Sequence, residues 1–420
     1  MTLRSLSPTI GGTLLIALLV FTVCGEAQTP ALKTLYAFTG DPSAGNPMAS
    51  VAIGSGRVLY GTTPSGGTAN YGTVFSLTPP ASSGGDWTEA LIYDFSASGG
   101  VNPNGLTVGA GGVLYGTTSG GCGTVFSLTP PTSQGAPWTL TVLHSFTGGS
   151  DACEPYGTLA AGGDGVLYGT TYLGGTYDTG AVFALRPPAS PGGAWTEGVL
   201  YSLPVGSNPE AGVAIGSGGV LYGTTTGGGP SGNGLVYSLT PPASPGGAWT
   251  EAALYAFSGR SDGGAPFAAV AIGSGGVLYG TTASNYGTVF SLTPPASPGG
   301  AWTHTVLHNF TCGSDGCVLF GAGVAIGSGG VLYGATVNGG TGIVACPAGC
   351  GTVFSLTPPA AAGGPWTETV LHNFTGGKDG ALPYASPVIE RQTGVLFGTT
   401  GDGGVAPGRS GYGTVFGLQP

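Results

Sequence analysis

The chain contains 420 residues, of which 87 are glycine and 33 are proline, and only 6 % of all residues carry a charge. Its 18 acidic and 8 basic residues give a formal net charge of -10. A chain this poor in lysine and arginine is not expected to bind nucleic acid or an anionic membrane surface. Hydrophobic residues make up 41 % of the sequence, enough to bury a large core, which argues against disorder.

The first 27 residues have the pattern of a secretory signal peptide. Arg4 gives a positive start, residues 10–23 form an apolar stretch, and the small residues Gly25 and Ala27 precede the expected cleavage point. We predict that residues 1–27 are removed on export, which leaves no membrane span and places the protein outside the cell or in the periplasm. The alternatives are a retained anchor and lipidation at Cys24.

From residue 32 to residue 418 the chain repeats one phrase seven times. Each copy has a Gly-Val-Leu-Tyr-Gly-Thr-Thr-like strand, followed by a Gly-Thr-Val-Phe-Ser-Leu-like strand. The aromatic residues of the first strand are Tyr60, Tyr115, Tyr168, Tyr222, Tyr279, Tyr333 and Phe397. Successive copies lie 53 to 64 residues apart. A period near 50 residues built only from strands predicts an all-β fold, a seven-bladed β-propeller.

The repeat at residues 322–374 shows how one blade is built. Residues 323–326 and 331–334 form two strands around a Gly-Ser-Gly-Gly turn, and residues 351–356 and 366–374 form the third and fourth. Four antiparallel strands joined in this way make one blade. The blades are expected at about 48–95, 104–146, 157–203, 211–257, 268–310, 322–374 and 385–418, the last completed by 32–38, all in a single domain of residues 28–420.

The N-terminal strand is expected to close the ring. Residues 32–38 match the fourth strand at residues 370–374 in pattern, and the seventh repeat lacks a fourth strand of its own. Closure would remove an exposed sheet edge. Six tryptophans start the fourth strands of the other blades, and this regularity predicts packing residues rather than sugar-binding platforms. They are Trp87, Trp138, Trp195, Trp249, Trp302 and Trp366.

The repeated phrase, its Gly-Gly loop and a Leu-His-Asn-Phe end together resemble the GloVer-type tandem repeat of bacterial exported proteins of the choice-of-anchor type. The resemblance covers about nine-tenths of the chain. More loosely, the Gly-Gly after an aromatic strand is similar to kelch repeats, although the kelch spacing of the tryptophan is not kept. The resemblance implies export and a repeat architecture, and it implies no activity.

One face of the propeller is expected to carry the function. The loops between second and third strands differ from blade to blade, whereas the Gly-Ser-Gly-Gly and Pro-Pro turns are nearly copied. In a propeller, the loops between second and third strands lie on the same face as the loops between blades. We call it the variable face, and we expect binding there because divergent loops on a rigid scaffold usually carry function.

All six cysteines after the signal peptide lie in loops of the variable face. An even number in an exported protein predicts disulfides, and we expect the pairs Cys122–Cys153, Cys312–Cys317 and Cys346–Cys350. The last four cysteines allow two other pairings. They could instead supply four thiolates to a zinc ion.

Acidic residues recur in the loops between blades, at Asp41, Asp151, Asp262, Asp315 and Asp379. A ring of carboxylates around the channel makes them candidate ligands for Ca²⁺, the one cofactor that the sequence suggests. The alternative is that each aspartate forms its turn by accepting a backbone N–H.

No catalytic constellation stands out, and we predict no catalytic residue. His144, His308 and His372 occupy a fourth-strand position that other blades fill with tyrosine, which indicates a packing role. The innermost strands are small and apolar. No carboxylate pair suited to glycoside hydrolysis can be identified.

The sequence therefore favours an exported, monomeric, non-enzymatic propeller that binds a glycan or an envelope protein at the cell surface. The first alternative is a carbohydrate-active lyase or hydrolase with a site built from Asp151, Glu154, Asp178 and Asp315. The second alternative is a structural surface or matrix component.

Overall fold

In the computed structural model, the described residues are 30–420 apart from 41–44, 83, 134, 191, 245, 298, 343–345, 362 and 405–410. Their strands form seven four-stranded antiparallel sheets, so the predicted seven-bladed propeller is confirmed. Strand β1 (Ala31–Ala37) comes first in the chain. Six blades then follow in chain order, each with its strands hydrogen-bonded in sequence order.

The strands of these blades have the following bounds. Blade 1 contains β2 (Ala52–Ile53), β3 (Leu59–Thr63), β4 (Thr73–Thr78) and β5 (Thr88–Asp94), and blade 2 contains β6 (Pro103–Val108), β7 (Leu114–Thr118), β8 (Thr124–Thr129) and β9 (Thr139–Ser145). Blade 3 contains β10 (Ala160–Ala161), β11 (Leu167–Thr171), β12 (Ala181–Arg186) and β13 (Thr196–Ser202), and blade 4 contains β14 (Ala214–Ile215), β15 (Leu221–Thr225), β16 (Leu235–Thr240) and β17 (Thr250–Ala256). Blade 5 contains β18 (Ala271–Ile272), β19 (Leu278–Thr282), β20 (Thr288–Thr293) and β21 (Thr303–Asn309), and blade 6 contains β22 (Ala325–Ile326), β23 (Leu332–Thr336), β24 (Thr352–Thr357) and β25 (Thr367–Asn373).

Blade 7 joins the two ends of the chain. It contains β26 (Val388–Ile389), β27 (Leu396–Thr400) and β28 (Thr414–Gln419), and its outer strand is β1. Strand β1 pairs antiparallel with β28 from Ala31 opposite Gln419 to Ala37 opposite Thr414. The predicted closure by the N-terminal strand is therefore present, and β28 has no exposed edge.

Helical structure among the described residues consists of three-residue 3-10 turns. They lie at Ser55–Arg57, Ala110–Gly112, Gly149–Asp151, Ser217–Gly219, Ser274–Gly276, Ser284–Tyr286 and Ser328–Gly330. Within this part of the chain, no helix has the length and apolar character needed to cross a membrane.

The hydrophobic core lies between neighbouring blades. In six of the seven seams, the phenylalanine after an outer strand packs edge-on against the third-strand phenylalanine of the next blade, as Phe38 does against Phe75, with ring centroids 5.0 to 5.4 Å apart. Both rings are fully buried, and each such side chain contributes roughly 1.5–3 kcal/mol. The glycine of Leu-Tyr-Gly admits this ring, because a Cβ on Gly61 would lie 2.3 Å from Phe75.

The tryptophans supply a second contact between blades. Each packs edge-on against the second-strand aromatic residue of the preceding blade, with ring centroids 5.7 to 6.3 Å apart. Trp87 of blade 1 packs in this way on Phe397 of blade 7, so the contact also crosses the seam where the chain ends meet. The six tryptophans are therefore packing residues.

Hydrogen bonds explain the repeated Thr-Thr. In five blades the first threonine donates its hydroxyl to a carbonyl of the next blade, as Thr170 does to Ala211 at 2.7 Å and Thr399 to Ala49 at 3.0 Å. The second pairs within its blade, as Thr63 Oγ1 does with Thr73 Oγ1 at 2.8 Å. Each of these buried hydroxyls has a hydrogen-bond partner among the described residues, so the threonines add no uncompensated polar group to the seams.

An ion pair joins blades 7 and 1. Arg57 Nε lies 2.7 Å from Glu390 Oε1, and the Glu390 side chain is 7 % exposed. Arg57 takes the place of the last glycine of the Gly-Ser-Gly-Gly turn, and it has a φ of 65°, in the left-handed region that disfavours arginine. The seam thus keeps a strained backbone in order to place a guanidinium against a buried carboxylate.

We predict that Arg57→Gly lowers stability by about 1–3 kcal/mol, because the unpaired buried carboxylate outweighs the relief of backbone strain. Urea unfolding of the two single variants and of the pair Arg57→Gly with Glu390→Gln measures this. The double variant is expected to recover most of the loss. An Arg57→Gly protein as stable as the parent would show that the pair does not hold the seam.

Tyr237 breaks the core pattern. It fills the third-strand position that holds phenylalanine in the other six blades, and it is fully buried. Its hydroxyl has no hydrogen-bond partner among the described residues. An unsatisfied buried hydroxyl destabilises a folded protein.

We therefore expect Tyr237→Phe to raise stability by about 1 kcal/mol. The reciprocal change Phe290→Tyr, at the equivalent position of blade 5, is the matched control and should destabilise. Thermal and urea unfolding compare the two. A destabilised Tyr237→Phe protein would mean that the hydroxyl has a partner in solution.

Candidate functional site

A three-residue segment in each loop between blades places one side chain at the mouth of the central channel. Its first residue has a positive φ, and these residues are Asn46, Asn102, Glu154, Asn208, Ala265, Val318 and Leu382. The second is a buried proline, or Leu319 in blade 6. The third residues, which we call the mouth ring, are Met48, Asn104, Tyr156, Glu210, Phe267, Phe320 and Tyr384.

Two contacts with the preceding blade fix each segment. The N–H of the first residue donates to a loop carbonyl, as Asn102 does to Tyr71 at 3.0 Å. The second residue packs on the glycine before the third strand, and a Cβ on Gly72 would lie 2.4 Å from Pro103. The same close approach recurs at all seven seams. The backbone of the mouth ring is thus held in one geometry, whatever its side chains are.

The mouth ring surrounds a cavity of about 440 Å³ at the variable face. Met48, Asn104, Tyr156, Glu210 and Phe267 line it directly, together with the neighbours of Phe320 and Tyr384 in the chain. Hydroxyl and amide groups lie between the apolar side chains. Concave sites of this size with a few convergent polar groups are typical of small-ligand binding.

Aromatic side chains dominate one arc of the ring. The rings of Phe267 and Phe320 lie 4.1 Å apart and are tilted by 32°, and Tyr156 packs on Tyr172 at 5.6 Å. Tyr156 is 40 % exposed and Phe320 46 % exposed. Rigid aromatic rings that face solvent around a cavity are costly to leave uncovered, which favours a ligand that packs on them.

Two carboxylates adjoin this arc. The Tyr156 hydroxyl donates to Glu154 Oε2 at 3.1 Å, and burial together with this bond raises the pKa of Tyr156 to about 12. Burial also raises the pKa of the half-buried Glu210. Tyr156 therefore stays protonated at neutral pH and Glu154 fixes its orientation.

Exposed aromatic groups continue outward from the mouth. Tyr71, Tyr177, Tyr286 and Tyr412 lie in loops between second and third strands, and their exposed fractions run from 37 % to 58 %. Among the large hydrophobic side chains that are exposed in the described parts of the chain, only Leu91 on β5 lies away from the variable face. Exposed large hydrophobic side chains of the described residues are therefore concentrated on the variable face.

The six cysteines form three disulfides on the variable face. Cys122 pairs with Cys153, Cys312 with Cys317 and Cys346 with Cys350, which is the pairing predicted. The thiolate zinc site is therefore not formed. The first disulfide ties a loop of blade 2 to the loop that leads into blade 3.

The recurrent aspartates form turns. Asp151, Asp262, Asp315 and Asp379 each accept the N–H of the residue four positions earlier at 2.7 to 2.9 Å, and its hydroxyl also bonds to the carboxylate. At Asp262, burial acts to raise the pKa, but the hydrogen bonds from Ser258, Tyr255 and Arg260 lower it to about 2. Calcium binding by these residues stays a prediction, and Asp41 lies outside the described residues.

The carboxylates proposed for an enzymatic site are not brought together at the cavity. Asp178 accepts the N–H of Gly174 at 2.9 Å within its own loop, and Asp151 and Asp315 lie in turns of different seams. Among the described residues that line the cavity, Glu210 is the one carboxylate. Sequence reasoning missed it, although its Asn-Pro-x setting recurs at residues 46–48 and 102–104 and marks the mouth ring.

Several solved structures are similar to this chain in fold. A virginiamycin B lyase from Staphylococcus aureus, crystallised as an inactive variant with quinupristin, has a TM-score of 0.54 at 13 % identity, with 93 % of this chain and 99 % of the lyase covered. A putative 6-phosphogluconolactonase from Bacteroides fragilis has a TM-score of 0.54 at 15 % identity, covering 81 % and 86 %. PorZ, a surface component of the type-IX secretion system of Porphyromonas gingivalis, has a TM-score of 0.50 at 14 % identity, covering 91 % and 48 %.

At these identities the likeness concerns the fold alone. Among curated proteins, none matches the sequence. The Gloeobacter/Verrucomicrobia repeat matches three overlapping segments, residues 19–203, 118–347 and 190–416. Its repeats include all seven blades, and the chain belongs to the Gloeobacter/Verrucomicrobia repeat family.

Proposed function

We propose that this protein is an exported, non-enzymatic propeller that binds a glycan through its mouth ring. The observation that carries the proposal is that, at each seam, the backbone contacts of the segment are repeated while its last side chain varies. The positive-φ residue and its buried neighbour repeat the same contacts seven times, whereas the third residue changes from methionine to asparagine, tyrosine, glutamate and phenylalanine. Fixed backbone with varied side chains around one cavity is the arrangement of a recognition site.

A glycan suits the chemistry of the ring. Sugar rings present C–H faces that pack on aromatic side chains, and Tyr156, Phe267 and Phe320 offer such surfaces. Sugar hydroxyls need donors and acceptors. At the cavity, Asn104 Oδ1 and the Glu210 carboxylate supply acceptors, because the amide N–H groups of Asn104 already donate to Thr117 and Pro155.

The composition of the cavity favours binding over catalysis. Glycoside hydrolysis needs two carboxyl groups that flank the scissile bond, whereas Glu210 is the single carboxylate among the described lining residues. A general acid also needs a proton acceptor or nucleophile opposite to it. Glu154 accepts a hydrogen bond from Tyr156 and is not among the described residues that line the cavity.

Three disulfides support export, because such bonds persist in oxidising compartments. The predicted signal peptide lies outside the described residues. An extracellular address in turn supports a surface glycan as the ligand.

We expect the purified protein to bind a subset of glycans on an array, and Tyr156→Ala and Phe320→Ala each to weaken that binding about tenfold, since each removes a stacking surface. Titration calorimetry with the best array ligand measures the affinity. Leu91→Ala is the matched control, because Leu91 is 44 % exposed on the outer strand β5, away from the mouth.

Two results would contradict the proposal. One is equal affinity in the Tyr156→Ala, Phe320→Ala and Leu91→Ala proteins, which would place the binding surface elsewhere. The other is release of reducing sugar by the parent protein that is lost in Glu210→Gln, which would make the cavity an active site.

A further inference from the structure

A cluster of histidine and carboxylate side chains, none of which lines the cavity, spans the outer seam between blades 2 and 3. His144 lies on β9, Asp151 in the 3-10 turn that follows it, and Glu197 on β13 of the next blade. His144 Nε2 lies 3.0 Å from Asp151 Oδ1. One ligand atom from each of the three residues lies within 4.8 Å of the other two. We propose that these three side chains bind a divalent transition metal ion of the zinc type.

The ligand set fits such an ion. An imidazole nitrogen with two carboxylate oxygens is a donor set that zinc accepts, and three protein ligands leave one position for water. Zinc holds its ligand atoms at about 2.0–2.2 Å, which separates tetrahedral ligand atoms by roughly 3.4 Å. His144 Nε2 and Asp151 Oδ1 are already close enough at 3.0 Å, and the Glu197 oxygen, within 4.8 Å of both, needs to approach by up to roughly 1.4 Å. Rotation of the Glu197 side chain on an outer strand provides this movement.

One carboxylate oxygen at the cluster has no partner, as is also true of Glu89 and Glu368 at the same position of blades 1 and 6. Glu197 Oε1 is shielded from solvent and has no hydrogen-bond partner among the described residues. A cation held between the two carboxylates would satisfy the oxygen and remove their mutual repulsion.

The scaffold around the cluster is rigid. Asp151 is fixed by two bonds from Thr147, and Cys153, two residues further on, is tied to Cys122 by a disulfide. His144 packs edge-on against Phe146 at 4.8 Å. Two of the three ligands are thus held in place before an ion binds, which lowers the entropic cost of binding.

Blades can pack against each other without a histidine, an aspartate and a glutamate at these three positions, as the other seams show. The equivalent positions of the seam between blades 4 and 5 hold Tyr255, Asp262 and His304, where the tyrosine and histidine rings stack at 4.1 Å. The seam between blades 6 and 7 has His372 and Asp379 but Leu32 in place of the glutamate. His308, Asp315 and Glu368 repeat the set between blades 5 and 6, with a longer separation of 3.6 Å between His308 Nε2 and Asp315.

The test is zinc binding by the full exported chain after treatment with EDTA, measured by equilibrium dialysis and metal analysis at pH 8. We expect His144→Tyr to weaken binding at this site by about 100-fold or more, since loss of a direct ligand costs at least as much as loss of a residue that supports one. Tyrosine is the residue of this position in blades 3 and 4, so the variant is expected to fold. Glu197→Gln provides a second, isosteric test.

His372→Tyr is the matched control and should keep the same bound zinc as the parent, because its seam lacks the glutamate. A parent protein that binds no zinc would overturn the proposal. So would a His144→Tyr protein that keeps the full amount, or a loss that follows His308→Tyr or His372→Tyr instead. Melting curves of each variant without metal show that a loss of zinc does not come from unfolding.

Discussion

The contact between one blade and the next is the constraint on which the rest of this structure depends. Among the described residues, the phenylalanine pairs, the tryptophan pairs and the threonine-to-carbonyl bonds all cross a seam. A four-stranded sheet that buries its two faces only against neighbours is not stable alone. The ring must therefore close. Strand β1 closes it by pairing with β28 in blade 7, and the ion pair between Arg57 and Glu390 joins blade 7 to blade 1.

The same constraint separates the conserved parts of the repeat from those that vary. Glycine is required before each third strand because a proline ring, or the side chain of Leu319, of the next blade lies where a Cβ would be. That contact holds the loop between blades, and the residue that follows is free to change. The side chains of the mouth ring can therefore differ without loss of packing between blades. In the outer seams, the side chains that differ are those at the positions of His144 and Glu197.

The sequence allowed the blade number, the strand order, the closure and the disulfides to be predicted, because each of these depends on a pattern that recurs along the chain. The Thr-Thr and Leu-Tyr-Gly phrases could be assigned to strands, but not to their partners across a seam. Arg57 and Glu390 lie at opposite ends of the sequence, and no periodicity indicates that they meet. The effect of the Tyr237 hydroxyl also could not be predicted from the sequence, because it depends on the full burial of that side chain.

The candidate site was harder to predict for the same reason. The aspartates in the loops between blades were predicted to be candidate ligands because they recur. In the structure they recur because each one forms a turn in its loop. The residue type at the mouth-ring position differs from blade to blade. A pattern of repeated residues therefore does not reveal it. Side chains of adjacent blades, such as His144 and Glu197, come together only once the radial arrangement is known.

Deletion of β1 tests ring closure most directly. The account predicts that a chain without residues 31–37 loses its single cooperative thermal transition, and that a synthetic peptide with the sequence of residues 30–40, added in trans, restores it by pairing with β28. An unchanged melting temperature and cooperativity in the truncated protein would contradict the account.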